Sequence, residues 1–223
     1  MDPPSPVCVN RTGDPNTAVP PRCLTFAGRE WVVKNGRFDP GPNNWSDSPD
    51  SVWVDALGRL HLTIRQRNNT WFTSEVVLNE SLGFGAYTFQ TSGAIHQLDR
   101  NVVLGLFTYD YVDPAFAHRE IDIEYSLSLG SIPGANAHFT VQPFQTPGNT
   151  FDFVSSGGTT HSIDWTSGRV MFASGGQTWT YAGGSVPQPG RENVRMNLWL
   201  FNGSAPLNGA DVEVVVTDFQ FRR

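Results

Sequence analysis

Beyond Leu24 the chain is a succession of short stretches in which apolar and polar residues alternate or apolar residues stand together, each closed by Gly, Pro or Asn. SVWVD, RLHLTI, TSEVVL, GAYTFQTSGAI, NVVLGLFTYDY, REIDIEYSL, NAHFTVQPF, HSIDW, RVMFAS, TWTYAG, VRMNLWLF and DVEVVVTDFQF follow in that order. Alternation of period two marks a half-buried strand, so about a dozen strands are expected. No window places apolar residues at helical spacing and no βαβ alternation occurs. The strands must therefore pair mainly antiparallel, and the sheets must pack on each other. The 22 glycines and 16 prolines suit the tight turns such a chain needs. The expected fold is all-β, a two-sheet antiparallel β-sandwich of jelly-roll type. At 223 residues one core suffices, because sandwiches commonly pass ~200 residues as one domain. No fixed-period repeat occurs, which argues against a propeller or solenoid.

Residues 1–24 read differently. Prolines at 3, 4, 6, 15, 20 and 21 remove backbone donors and oppose both helix and central strand. An irregular N-terminal arm over 1–24 followed by one jelly-roll domain over 25–223 is expected. Cys8 and Cys23 lie in this arm, in PVCVNRTGDPNTAVPPRC, and joining them would close a loop of roughly 15 residues. A structural disulfide is expected. Five Asn-x-Ser/Thr triplets, starting at Asn10, Asn44, Asn68, Asn79 and Asn202, point with the cysteines to secretion. The opening MDPPSP has no apolar h-region, so a mature form with an added Met, or another export route, is expected. The net charge of −6 leaves no basic patch for phosphates. No apolar run approaches the ~18 residues of a membrane span. Nucleic acid and membrane drop out as partners, and a monomer is expected. Lys34 is the single lysine, and the sequence attaches no role to it.

The stretch HREIDIEYS, 118–126, sets Glu120, Asp122 and Glu124 at alternate positions with isoleucines between them. On a strand the three carboxylates share one face while Ile121, Ile123 and Tyr125 fill the other. Three adjacent like charges raise one another's pKa and destabilise a fold, which is a poor choice for structure alone. Glycoside hydrolysis uses such carboxylates, one ionised to attack and one protonated to release the leaving group. The two glutamate Cα atoms are about 13 Å apart on an extended strand, so their side chains must lean together for a retaining pair at ~5 to 5.5 Å. A calcium site and a solvated polar face are the competing readings.

The motif EIDIE resembles the Glu-x-Asp-x-Glu signature of glycoside hydrolase family 16. TSEVVL, GFGAYTF and LGLFTYD before it and THSIDW and MNLWL after it stand in that family's order, over roughly residues 26–221. The resemblance implies a concanavalin-like jelly roll, with Glu120 as nucleophile, Glu124 as acid/base and Asp122 assisting. The signature lacks the inserted residue of laminarinase- and agarase-like members, which places it nearer lichenases and xyloglucan transglycosylases. That implies an endo-acting, retaining hydrolase of a β-1,3/1,4-glucan, working without a cofactor. A transglycosylase of the same family and a non-catalytic carbohydrate-binding jelly roll are the alternatives. Glu75, Phe107, Tyr109, Asn197 and Trp199 match cleft-lining positions. The sequence departs from the family's pattern at His118, Val77, His138, Thr140 and Gln142.

Other residues carry two readings each. His118 either modulates the site or caps its turn. His138 and Gln142 belong to a polar row that faces the cleft or solvent. Trp45, in GPNNWSD, offers a sugar platform or a ring buried at the sandwich edge. Asp211, Glu213 and Asp218 are candidates for a structural calcium site through the resemblance alone.

Overall fold

The computed structural model describes residues 8–223. Two large antiparallel sheets face each other. The first runs, in spatial order, Cys23–Phe26, Arg29–Val33, Ser74–Leu78, Asn193–Leu200, Val102–Tyr109, Ile121–Tyr125, Ala137–Val141 and Thr150–Phe153. The second runs Gln177–Tyr181, Arg169–Ser174, Thr160–Thr166, Gly85–Ser92, Val212–Arg222, Leu60–Arg67 and Val52–Val54, with Thr70–Phe72 paired to Leu60–Arg67. The expected jelly-roll sandwich is the observed architecture.

All twelve segments of alternating or apolar character contain a strand. The strands that went unread are short or lack a clean alternation: Cys23–Phe26, Arg29–Val33, Gly36–Phe38, Asn43–Trp45, Thr70–Phe72 and Thr150–Phe153. Between the sheets lie the inward residues of both, among them Leu104, Leu106, Ile121, Ile123, Phe139, Met196 and Leu198 from the first and Phe89, Ile163, Trp165 and Phe172 from the second. Burying a side chain of this size contributes about 1.5–3 kcal/mol. The inner face of the first sheet is thereby filled, and its outer face is left for chemistry.

Residues 8–22 form no strand, but they pack on the sheet edge. Thr17 bridges to Lys34, Asn35 N donates to Asn16 O at 2.9 Å, and Arg11 N donates to Asn79 Oδ1 at 2.7 Å. The disulfide joins Cys8 to Cys23, with Cα atoms 5.6 Å apart. It ties the start of this arm to the first strand. Asn79 is buried and its amide donates to Val9 O at 2.8 Å, whereas Asn68 and Asn202 are exposed. On the far side of the sandwich, Glu213 contacts His61 Nδ1 at 3.0 Å and Asp211 accepts from Gln66 N at 3.1 Å. Among the described residues no group of three metal-ligating side chains forms.

Candidate active site

Cross-strand register gathers the site. Glu124 pairs across with Gly105 on one side and His138 on the other; Gly105 pairs with Asn197, Asn197 with Glu75, and His138 with Asp152. The result is a single row across the sheet: Glu75, Asn197, Gly105, Glu124, His138, Asp152. The next row reads Val77, Arg195, Phe107, Asp122, Thr140, Thr150. Glu120 precedes its strand with extended backbone, φ −86° and ψ 125°, so the alternation still carries it to the same face. All of these residues except Val77 and Gly105 line a cleft of about 930 Å³. Phe107, Tyr109, Trp199, Phe38 and Phe144 supply its aromatic surfaces, and the N-terminal arm supplies Asp14 and Asn16.

Glycine at 105 follows from this geometry. A Cβ there would lie 2.5 Å from Asn197 Oδ1, so only glycine lets Asn197 and Glu124 flank the position closely. Asn197 Oδ1 and Arg195 Nε and Nη2 are buried without a hydrogen-bond partner among the described residues. Such groups on a cleft floor are suited to bonding ligand hydroxyls.

The three carboxylates differ in surroundings. Asp122 is buried and Gln142 Nε2 donates to its Oδ2 at 2.9 Å. Burial, and then the charges of Glu120 and Glu124, push Asp122 well above the ordinary carboxylate range. Glu124 is pushed up to about 7 by burial, against which the charge of His138 acts. Glu120 is pushed up to about 8 by burial and by the charge of Glu124, while Arg195 and a hydrogen bond from Asp122 act the other way. A proton on Glu124 removes the second of those upward causes, so the row holds protons near neutrality and Glu120 ionises more readily when Glu124 is protonated. Tyr109 is pushed up to about 12, first by burial and then by Glu120, and stays neutral.

A buried charge network lies beside the row. Lys34 Nζ contacts Glu75 Oε2 at 3.0 Å, and Arg195 Nη1 bridges Glu75 Oε1 at 2.9 Å and Asp14 Oδ2 at 2.7 Å. Burial pushes the Glu75 carboxyl up, but Lys34 and Arg195 outweigh it and hold Glu75 below the ordinary range. Glu75 thus lines the cleft with both oxygens already engaged.

Of the residues expected at the site, Glu75, Phe107, Tyr109, Glu120, Asp122, Glu124, His138, Gln142, Asn197 and Trp199 all line the cleft. Two do not. Trp45 is 1% exposed, packs with Val103 and Trp199, and donates from Nε1 to Phe38 O at 2.9 Å, with Lys34 Nζ 4.1 Å from its ring centre. The ring is buried against Val103 and Trp199 on the outer, cleft-bearing face of the first sheet, so it is no sugar platform. His118 lies in a turn in which Phe116, Ala117, His118 and Arg119 all have positive φ. That turn lays its ring behind Tyr109, at 4.7 Å and 9° between planes, and its Nδ1 contacts Asp110 O at 2.9 Å. It backs a cleft wall and does not face the cleft. His138 lines the floor, but both ring nitrogens are bonded within the protein. Sequence reasoning missed Asp14, Lys34, Asp152 and Arg195, whose sequence neighbours carry no signal for the site.

No protein-family model and no curated protein matches the chain by sequence. Solved structures match it by shape. The Bacillus licheniformis beta-glucanase is 20% identical with a TM-score of 0.64, over 86% of this chain and 92% of its own. A native glycosidic hydrolase is 19% identical with a TM-score of 0.64, over 93% and 96%. A Bacteroides ovatus protein of glycoside hydrolase family 16, in complex with a G4G4G3G product, is 12% identical with a TM-score of 0.66, over 86% and 94%. The architecture assembled here from register and burial is the fold of glycoside hydrolase family 16.

Proposed function

We propose that this protein is a secreted, monomeric, endo-acting retaining glycoside hydrolase whose substrate is a β-linked polysaccharide, a β-1,3/1,4-glucan. The observation that carries the reading is the row Glu120, Asp122, Glu124 on one face of the sheet, set in a cleft with aromatic walls. Retaining hydrolysis needs two carboxyl groups in different protonation states close to one bond, and a sugar ring presents C–H faces that stack on aromatic rings. The beta-glucanase and the product-bound structure of the same fold support the substrate class.

In the first step the Glu120 carboxylate attacks the anomeric carbon as the glycosidic C–O bond breaks. Glu124 gives its proton to the departing oxygen, leaving a glycosyl ester on Glu120. In the second step Glu124, now a carboxylate, takes a proton from water as the water oxygen attacks the anomeric carbon. The ester bond breaks and Glu120 is released. Asp122 donates a hydrogen bond to Glu120 and is itself anchored by Gln142. Arg195 provides a fixed positive charge acting on Glu120, favouring its ionised form. Two displacements at one carbon retain its configuration. Proton NMR of a β-glucan digest is therefore expected to show the β-anomer as the first-formed reducing end. First appearance of the α-anomer would exclude a covalent intermediate on Glu120.

A further inference from the structure

Both ring nitrogens of His138 face acceptors. Nε2 lies 3.0 Å from Ser126 O, which has no hydrogen to give. Nδ1 lies 2.8 Å from Asp152 Oδ1. The other oxygen of that carboxylate accepts from Ser131 N at 2.7 Å and Ser131 Oγ at 3.1 Å. Those bonds from Ser131, with that from His138, favour the Asp152 anion and hold it below the ordinary carboxylate range despite burial. An imidazole that donates from both nitrogens is an imidazolium.

The pair is enclosed. The side chains of His138 and Asp152 are 2% and 5% exposed. Gly130, at φ +76°, closes over them, and a Cβ on it would lie 2.6 Å from His138 Cε1 and 2.8 Å from Asp152 Cγ. His138 is also the cross-strand partner of Glu124. The charged groups facing His138 are Glu124, with Asp122 and Glu120 further along the same strand, and Asp152 from the outer strand; the loop 126–134 carries none. On the other side of Glu124 stand uncharged Gly105 and Asn197, and beyond them Glu75 is already paired with Lys34 and Arg195.

We propose that His138 is held as an imidazolium by Asp152 and serves as a positioning residue for Glu124, lowering the pH at which that carboxyl gives up its proton. The assignment of Glu124 as acid/base rests on the function proposed above; the charge of His138 does not. Burial alone would keep the proton on Glu124 too firmly for it to serve as acid and then as base near neutrality, and the neighbouring cation offsets that burial.

Two NMR measurements test this without turnover. In histidine-labelled wild-type protein at pH 7, the ¹⁵N spectrum is expected to show both His138 nitrogens protonated, the signal being assigned by its absence from His138→Gln. A neutral tautomer there overturns the proposal. In Asp152→Asn the same ring should revert to a neutral tautomer. The ¹³C titration of Glu124 is expected to move up by about one pH unit in His138→Gln, and an unmoved titration overturns the tuning role. Should His138→Gln fail to fold, the wild-type ring spectrum and the Asp152→Asn variant still decide the charge. If β-glucans are cleaved, the basic limb of kcat/KM moves up with the Glu124 titration. If none is cleaved while both titrations behave as expected, the proposed function fails and the charge assignment stands.

Discussion

Glu75 touches two cations at once, Lys34 and Arg195, in a nearly fully buried part of the cleft floor. Breaking a buried pair by neutralising one partner leaves uncompensated charge, at a cost of roughly 3–5 kcal/mol. Glu75→Gln is accordingly expected to lower the unfolding free energy by about 3 kcal/mol in urea titrations, and a loss under ~1 kcal/mol would contradict the network described here. Glu75 itself was legible from its place in TSEVVL. Its partners were not: Arg195 is 120 residues away and Asp14 lies 181 residues from Arg195, and pairing at that range leaves no trace in local pattern. Trp45 and His118 show the converse. A tryptophan in a loop and a histidine two residues before a signature look equally suited to sugar or to packing, and only tertiary placement separates these. Even the single lysine, which carries no sequence signal, proves to hold Glu75 in place.

Among the elements, the signature strand was fully legible because its alternation and its chemistry coincide. Isoleucines demand a core, carboxylates demand its opposite face, and pairing with the neighbouring strands satisfies both. The arm was less so. Its prolines announce irregular backbone but give no hint that Asp14 reaches Arg195 at the cleft. The Cys8–Cys23 bond secures this segment. Closing a loop of this size stabilises by about 3 kcal/mol in the chain-entropy account. The Cys8→Ser/Cys23→Ser double variant is therefore expected to unfold at lower urea and to lose activity beyond what unfolding explains, because Asp14 leaves Arg195. Full specific activity in the folded variant would show that the arm has no part in the site. Strands such as Thr150–Phe153 escaped notice because TFDF, although it alternates, is only four residues long and carries too little pattern to stand out, yet this strand carries Asp152.

At the scale of the whole molecule, opposing titrations shape stability. His161 is buried between Thr91 and Ser174, and burial pushes it down to about 4. Its folded value lies below its unfolded one, so unfolding takes up a proton as pH falls from about 6.5 towards 4, and stability declines over that window. The carboxylate row has the opposite sign: raised values mean that its contribution is present at low pH and lost as pH rises through about 7 to 8. His161→Gln is expected to flatten the decline in unfolding free energy between pH 6.5 and 4.5, as followed by urea melts. An unchanged slope would show that the ring is already solvated. The sandwich as a whole was legible from alternation and punctuation, since burial on two facing sheets dictates both. The extent of the cleft was not, because part of its lining comes from segments without a sequence signal, such as Phe38 on the short strand Gly36–Phe38 and Phe144 in a turn. The most direct test of the account is reducing-end release from mixed-linkage glucan, β-1,3-glucan, xyloglucan and agarose by the wild type and by Glu120→Gln. The wild type is expected to release reducing ends from mixed-linkage glucan, and Glu120→Gln to release none while it stays folded and still binds the polysaccharide. Undiminished release by folded Glu120→Gln, or no release from any of the four by folded wild type, would contradict it.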